Sequence, residues 1–137
     1  AAVDYKTSRL STLQKRFKEN FLKSEFQLPL YAAALGAARK LPFDAAFVSI
    51  KDAKAVRISD LVASMGLDPA EALSVDPEVR RHVREVDPDR PNLGDAVWTL
   101  VRDARAGRFP VRPIDCGFCD FAAVCRVGAR VQMEDGE

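Results

Sequence analysis

Asp4 and Lys6, two positions apart at the start of the chain, are the first residues whose types suggest chemistry. Residues 1–6 read as the end of a β-strand, and strand side chains two apart leave by the same face, roughly 7 Å from one another. A hard carboxylate oxygen beside a fixed ammonium suits a divalent metal ion and a phosphodiester. Asp4 can ligate Mg2+ or Mn2+. Lys6 can orient or help deprotonate a water and offset charge on a phosphate. Taken alone, the triplet equally suits two solvated charges at a strand end. A natural protein would hardly begin inside such a strand, so the chain is expected to be a fragment of a longer one.

Gln27 and Tyr31 form a second pair. A spacing of four puts them on one face of a helix. An amide and a phenol can each hydrogen-bond a phosphate oxygen or another side chain of a site. The plainer reading is an amphipathic helix with one polar residue and a tyrosine half in the core. The third element is Cys116, Cys119 and Cys125, a C-x2-C-x5-C array and the only cysteines in the sequence. Thiolates at this spacing converge on one soft centre, and such clustering points to a metal or cluster rather than to disulfides. Three thiols leave a four-coordinate centre one ligand short. His82, the lone histidine, and the basic residues Lys15, Arg16, Lys18 and Lys23 fit solvated helix faces; the latter four can also face a DNA backbone.

The elements that must hold these residues follow from breakers and periodicity. Residues 8–23 are basic and partly amphipathic, and read as a short helix or a loop. A helix is predicted from Phe26 to Arg39, with Pro29 in its first turn, where proline is tolerated. Residues 43–50 and 55–58 read as the arms of a β-hairpin around Lys51–Lys54. Helical pieces follow at 59–65 and 77–86, with Asp68-Pro69 and Asp76-Pro77 supplying an N-cap and a first-turn proline. Asn92 is a candidate cap for a helix over 93–106, which Gly107 ends.

Composition bounds the rest. The chain has 137 residues, 47% of them apolar, enough for one packed core. With 21 basic and 20 acidic side chains, overall charge does not mark a nucleic-acid binder, so any DNA contact must be a local patch. No apolar run approaches the ~20 residues needed to span a bilayer, and the start lacks the pattern of a secretory signal. The expectation is a cytoplasmic protein.

Val3-Asp4-Tyr5-Lys6-Thr7, then Gln27-x3-Tyr31, then the terminal C-x2-C-x5-C, resemble in order and spacing the RecB-like branch of the PD-(D/E)XK nuclease superfamily. More narrowly the chain is similar to members with an iron–sulfur cluster, such as the AddB nuclease domain and CRISPR-associated adaptation nucleases. Gly107-Arg108-Phe109-Pro110, the lead-in to the cysteines, also resembles that group. The resemblance implies an α/β fold, a mixed sheet flanked by helices, here as the back half of a restriction-endonuclease-like core over residues 1–115 with a cysteine-bearing tail over 116–137. It implies metal-dependent hydrolysis of DNA phosphodiesters in repair or recombination, beside a helicase. Asp4 becomes the second metal-ligand acid, Lys6 the catalytic lysine, and Gln27 with Tyr31 the helix motif beside the site. Cys116, Cys119 and Cys125 match the last three ligands of a 4Fe–4S cluster.

The family's first metal-ligand aspartate, an upstream histidine and the first cluster cysteine have no counterpart in this sequence. The fragment is therefore expected to bind metal poorly, to show no nuclease activity alone, and to self-associate through exposed sheet edge. Two other functions fit the residues: a degenerate nuclease-like scaffold that only binds DNA ends, and a zinc-binding interaction module built on the tail.

Overall fold

The computed structural model describes residues 2–39 and 44–108. Cys116, Cys119 and Cys125 lie outside the described residues, as does the arm residue Phe43. Two compact units divide the chain, Ala1–Val101 and Arg102–Glu137; the second is described over 102–108 only.

The first strand, β1 (Ala2–Lys6), alternates half-buried and exposed residues, with Asp4 and Lys6 on the half-buried side and Val3 and Tyr5 on the exposed one. β2 (Ala45–Ser49) pairs with it in parallel, setting Asp4 beside Phe47 and Lys6 beside Ser49. β3 (Lys54–Arg57) returns antiparallel to β2. The sheet is thus mixed, in the order β1-β2-β3. A parallel pair cannot be joined by a tight turn, and the connection is made by two helices, α1 (Leu10–Asn20) and α2 (Gln27–Arg39). With α3 (Ile58–Ala63) they build the core. Phe17, Leu28, Ile58 and Val62 are all but inaccessible to solvent, and they cluster with Leu13, Leu61, Ala45 and Phe47. This α/β arrangement is the one the resemblance implies.

Segment 8–23 resolves as a helix over most of its length. Leu13 and Phe17, four apart, are its buried stripe. Its N-terminus has no cap from its own flank. The Leu10 N–H donates instead to Asp52 Oδ2, 2.6 Å away in the hairpin turn. Buried Ser49 joins the same junction, donating to the Ser8 carbonyl at 2.8 Å while its Oγ accepts from the Asp52 N–H at 3.1 Å. α2 begins at Gln27, one residue later than expected, and Pro29 sits third in it, where no intrahelical acceptor is lost.

The remaining helices follow their punctuation. α4 (Pro69–Ala72) is a single turn capped by Asp68, whose carboxylate accepts from the Ala70 N–H. α5 (Pro77–Val86) is capped by Asp76 in the same way, through the Glu78 N–H. α6 (Leu93–Arg105) starts at Asn92, whose Oδ1 accepts from the Asp95 N–H at 2.9 Å. Gly107 ends it at φ 67°, in the left-handed region that glycine enters without steric cost. Beyond that point Arg108 bonds back to Asp103 at 2.7 Å and holds its carboxyl below the usual carboxylate range.

Asn92 does more than cap. It is 3% exposed, and its amide also donates to the Glu71 carbonyl at 2.7 Å and the Ser74 carbonyl at 3.3 Å, tying α6 to the end of α4. Asn92→Ala is therefore expected to destabilise by about 2 kcal/mol, against about 1 kcal/mol for the exposed cap Asp76→Ala. Urea unfolding compares them; equal losses would mean that the two carbonyl contacts add nothing.

Candidate functional site

Asp4 and Lys6 share a face because β1 is extended, and there they form an ion pair, Lys6 Nζ to Asp4 Oδ2 at 2.9 Å. The Asp4 side chain is 20% exposed and that of Lys6 40%, so the pair is only partly solvated. Gln27 and Tyr31 meet one helical turn apart, with Gln27 Nε2 donating to Tyr31 Oη at 3.2 Å. That bond leaves the Gln27 carbonyl oxygen to accept from another group.

The two pairs are brought to one region by the packing of α2 on β1 and β2. Lys6, from the strand, and Gln27, from the first residue of α2, line the same cavity of about 120 Å3, together with Phe47, Leu13, Arg16, Ser24 and Glu25. It exceeds the ~10–15 Å3 that a single water requires. Asp4 reaches this cavity through Lys6, and Tyr31, half exposed, through Gln27; neither lines its wall.

Arg16 and Glu25 are wall residues that the sequence does not single out as a pair. Arg16 Nε lies 2.6 Å from Glu25 Oε1. The turn before α2 sets the carboxylate: the Asn20 carbonyl accepts from the Lys23, Ser24 and Glu25 N–H groups at 3.0, 3.1 and 3.1 Å. Within that turn Leu22 takes φ 56°, a left-handed conformation that costs a branched side chain about 1–2 kcal/mol. The one legible signal for Arg16 is its distance of three from buried Leu13, which sets it at the rim of the buried stripe.

A Mg2+ or Mn2+ site needs several convergent oxygens. Among the described residues no three His, Cys, Asp or Glu side chains are grouped to hold an ion. Asp4 can contribute one carboxylate, and the described donors do not by themselves complete a site. The other cavities carry less chemistry. One, about 740 Å3, is a mostly apolar groove walled by α2, α4 and the start of α5, with Asp44 and Ser59.

A parallel strand pair bridged by helices, with Lys6 of the strand and Gln27 of the helix walling one cavity, defines an α/β protein. The sequence matches the model of the PD-(D/E)XK nuclease superfamily over residues 1–126, and the chain belongs to that superfamily. No curated protein and no solved structure matches it. Membership points to nuclease chemistry, for which superfamily members typically use divalent metals, and to DNA as the substrate. No helix among the described residues is long and apolar enough to cross a membrane.

Proposed function

We propose that this chain carries the second acid, the lysine and the helix motif of a metal-dependent deoxyribonuclease of the RecB-like branch. It works on DNA ends in repair or recombination, inside the cell, beside a helicase. The observation that carries the reading is that Lys6 and Gln27, distant in sequence, wall one cavity, with Asp4 paired to Lys6. Residues 1–115 form the nuclease part, and 116–137 form the tail whose Cys116, Cys119 and Cys125 supply three ligands to a 4Fe–4S cluster.

In this reading a water attacks phosphorus, its proton passes to solvent, and the bond to the leaving oxygen breaks as that oxygen takes a proton from solvent. A divalent ion, held in part by Asp4, would polarise the phosphate oxygens. Asp4 offers that ion one carboxylate oxygen. Lys6 holds a positive charge where negative charge builds on the phosphate, and can orient the water. The Gln27 carbonyl oxygen, free of Tyr31, accepts from Lys6 or the water. Tyr31 fixes the amide's orientation.

This sequence offers no counterpart of the branch's first metal-ligand acid or first cluster cysteine, so the 137-residue chain alone is expected to be inactive. The natural full-length protein should degrade linear DNA in Mg2+ or Mn2+ and stop on chelation, while the 137-residue chain does not cut. Cleavage that persists in chelator would overturn metal dependence, and robust cleavage by the chain alone would overturn the division of the site. Products from DNA labelled at either end separate exonuclease from endonuclease action.

A second reading, a DNA-end-binding scaffold without catalysis, is favoured by one observation: no three potential ligands are grouped among the described residues. Metal-dependent cleavage by the natural protein rules it out. Visible absorbance of that protein purified without oxygen, lost in Cys119→Ser, separates an iron–sulfur tail from a zinc one.

A further inference from the structure

We propose that Arg16 is a DNA-phosphate contact at the mouth of the Lys6–Gln27 cavity, aimed by Glu25; this rests on the nuclease reading above. The basic residues of α1 and the following turn are Lys15, Arg16, Lys18 and Lys23. Only Arg16 of these four lines the cavity. Its side chain is 69% exposed, while its ion-pair partner Glu25 is 16% exposed. An exposed guanidinium tied to a mostly buried carboxylate has one end fixed and the other turned to solvent.

The fixed end is a built feature. Three N–H groups converging on the Asn20 carbonyl and an isolated bridge between Phe21 and Glu25 set the turn that carries the carboxylate. Glu25 engages Arg16 through Nε. The two terminal nitrogens of the fork can then address a phosphate as paired donors. A lysine would supply the charge without the fork. Two cations, Lys6 and Arg16, thus wall the cavity, each offset by its ion-pair partner, Asp4 or Glu25, until DNA arrives. A strand whose scissile phosphate sits at Lys6 has a flanking phosphate to give to Arg16. The competing role is a clamp that merely fastens α1 to the turn before α2.

Binding of labelled linear DNA to the natural full-length protein, in chelator and across a series of salt concentrations, tests this. Arg16→Ala should bind about tenfold more weakly. Its plot of log affinity against log salt should be shallower by about 0.9, the loss of one phosphate contact. Arg16→Lys should keep the wild-type slope. Glu25→Gln should keep the slope and bind at least as tightly, because the amide oxygen still accepts from Arg16 Nε while a competing negative charge is gone. A wild-type slope in Arg16→Ala overturns the proposal. So does a Glu25→Gln protein as weakened as Arg16→Ala, the mark of a clamp. The underlying nuclease reading fails separately, by undiminished cleavage in Lys6→Ala.

Discussion

Lys6→Ala is expected to lower the cleavage rate of the natural protein by about 10²–10³-fold, the usual loss when a group facing transition-state charge is removed. Lys6 faces the cavity from β1 and its ammonium is paired with Asp4 at 2.9 Å. Losing that half-exposed pair should change stability by no more than about 1 kcal/mol. The rate loss would therefore come without unfolding. Lys6→Arg should recover little of it, since the planar guanidinium fork is bulkier than an ammonium and directs its donors differently. Single-turnover cleavage with melting curves on the same samples measures both effects. Wild-type cleavage in Lys6→Ala would remove this residue from the catalytic machinery.

The largest expected loss of stability is at Phe17. It is fully buried, its ring lies 5.3 Å from Phe21 and 5.8 Å from Phe47, and it meets the latter edge to face. Phe17→Ala removes aromatic packing and leaves a cavity, for about 3–5 kcal/mol. Against a total of about 5–15 kcal/mol for a folded domain, that threatens folding itself. The damage should also reach the site, because Phe47 lines the cavity and sits beside Asp4 in the sheet register. Chemical denaturation of Phe17→Ala against Tyr5→Ala, which changes an exposed side chain, checks the contrast. Similar midpoints would mean that the core is centred elsewhere.

Much of the fold is legible because it is written locally. Alternation in residues 2–6 puts Asp4 and Lys6 on one face, and a spacing of four puts Gln27 against Tyr31. Asp68-Pro69, Asp76-Pro77, Asn92 and Gly107 mark helix ends that the structure has within a residue or two. What is not legible depends on distant partners. Segment 8–23 reads as helix or loop because the acceptor for its first amide is Asp52, far along the chain. Arg16 reads as one solvated cation among four because Glu25 finds it only after the turn at 20–25 has formed. In α6 Leu100 and Val101 fall at helical spacing, yet they are 56% and 37% exposed and Leu93 is the residue buried there. Periodicity reports which residues share a face and is silent on whether anything covers it. That Lys6 and Gln27 would wall one cavity follows from no local pattern in the sequence.

The parallel pairing of β1 with β2 has a kinetic consequence. The hairpin of β2 and β3 is made from neighbours in sequence and can form early. β1 can dock only after the long loop between it and β2 has closed, an entropic toll that slows folding. The strand bearing Asp4 and Lys6 is therefore expected to join late, so that Lys6 and Gln27 come to wall one cavity only as folding completes.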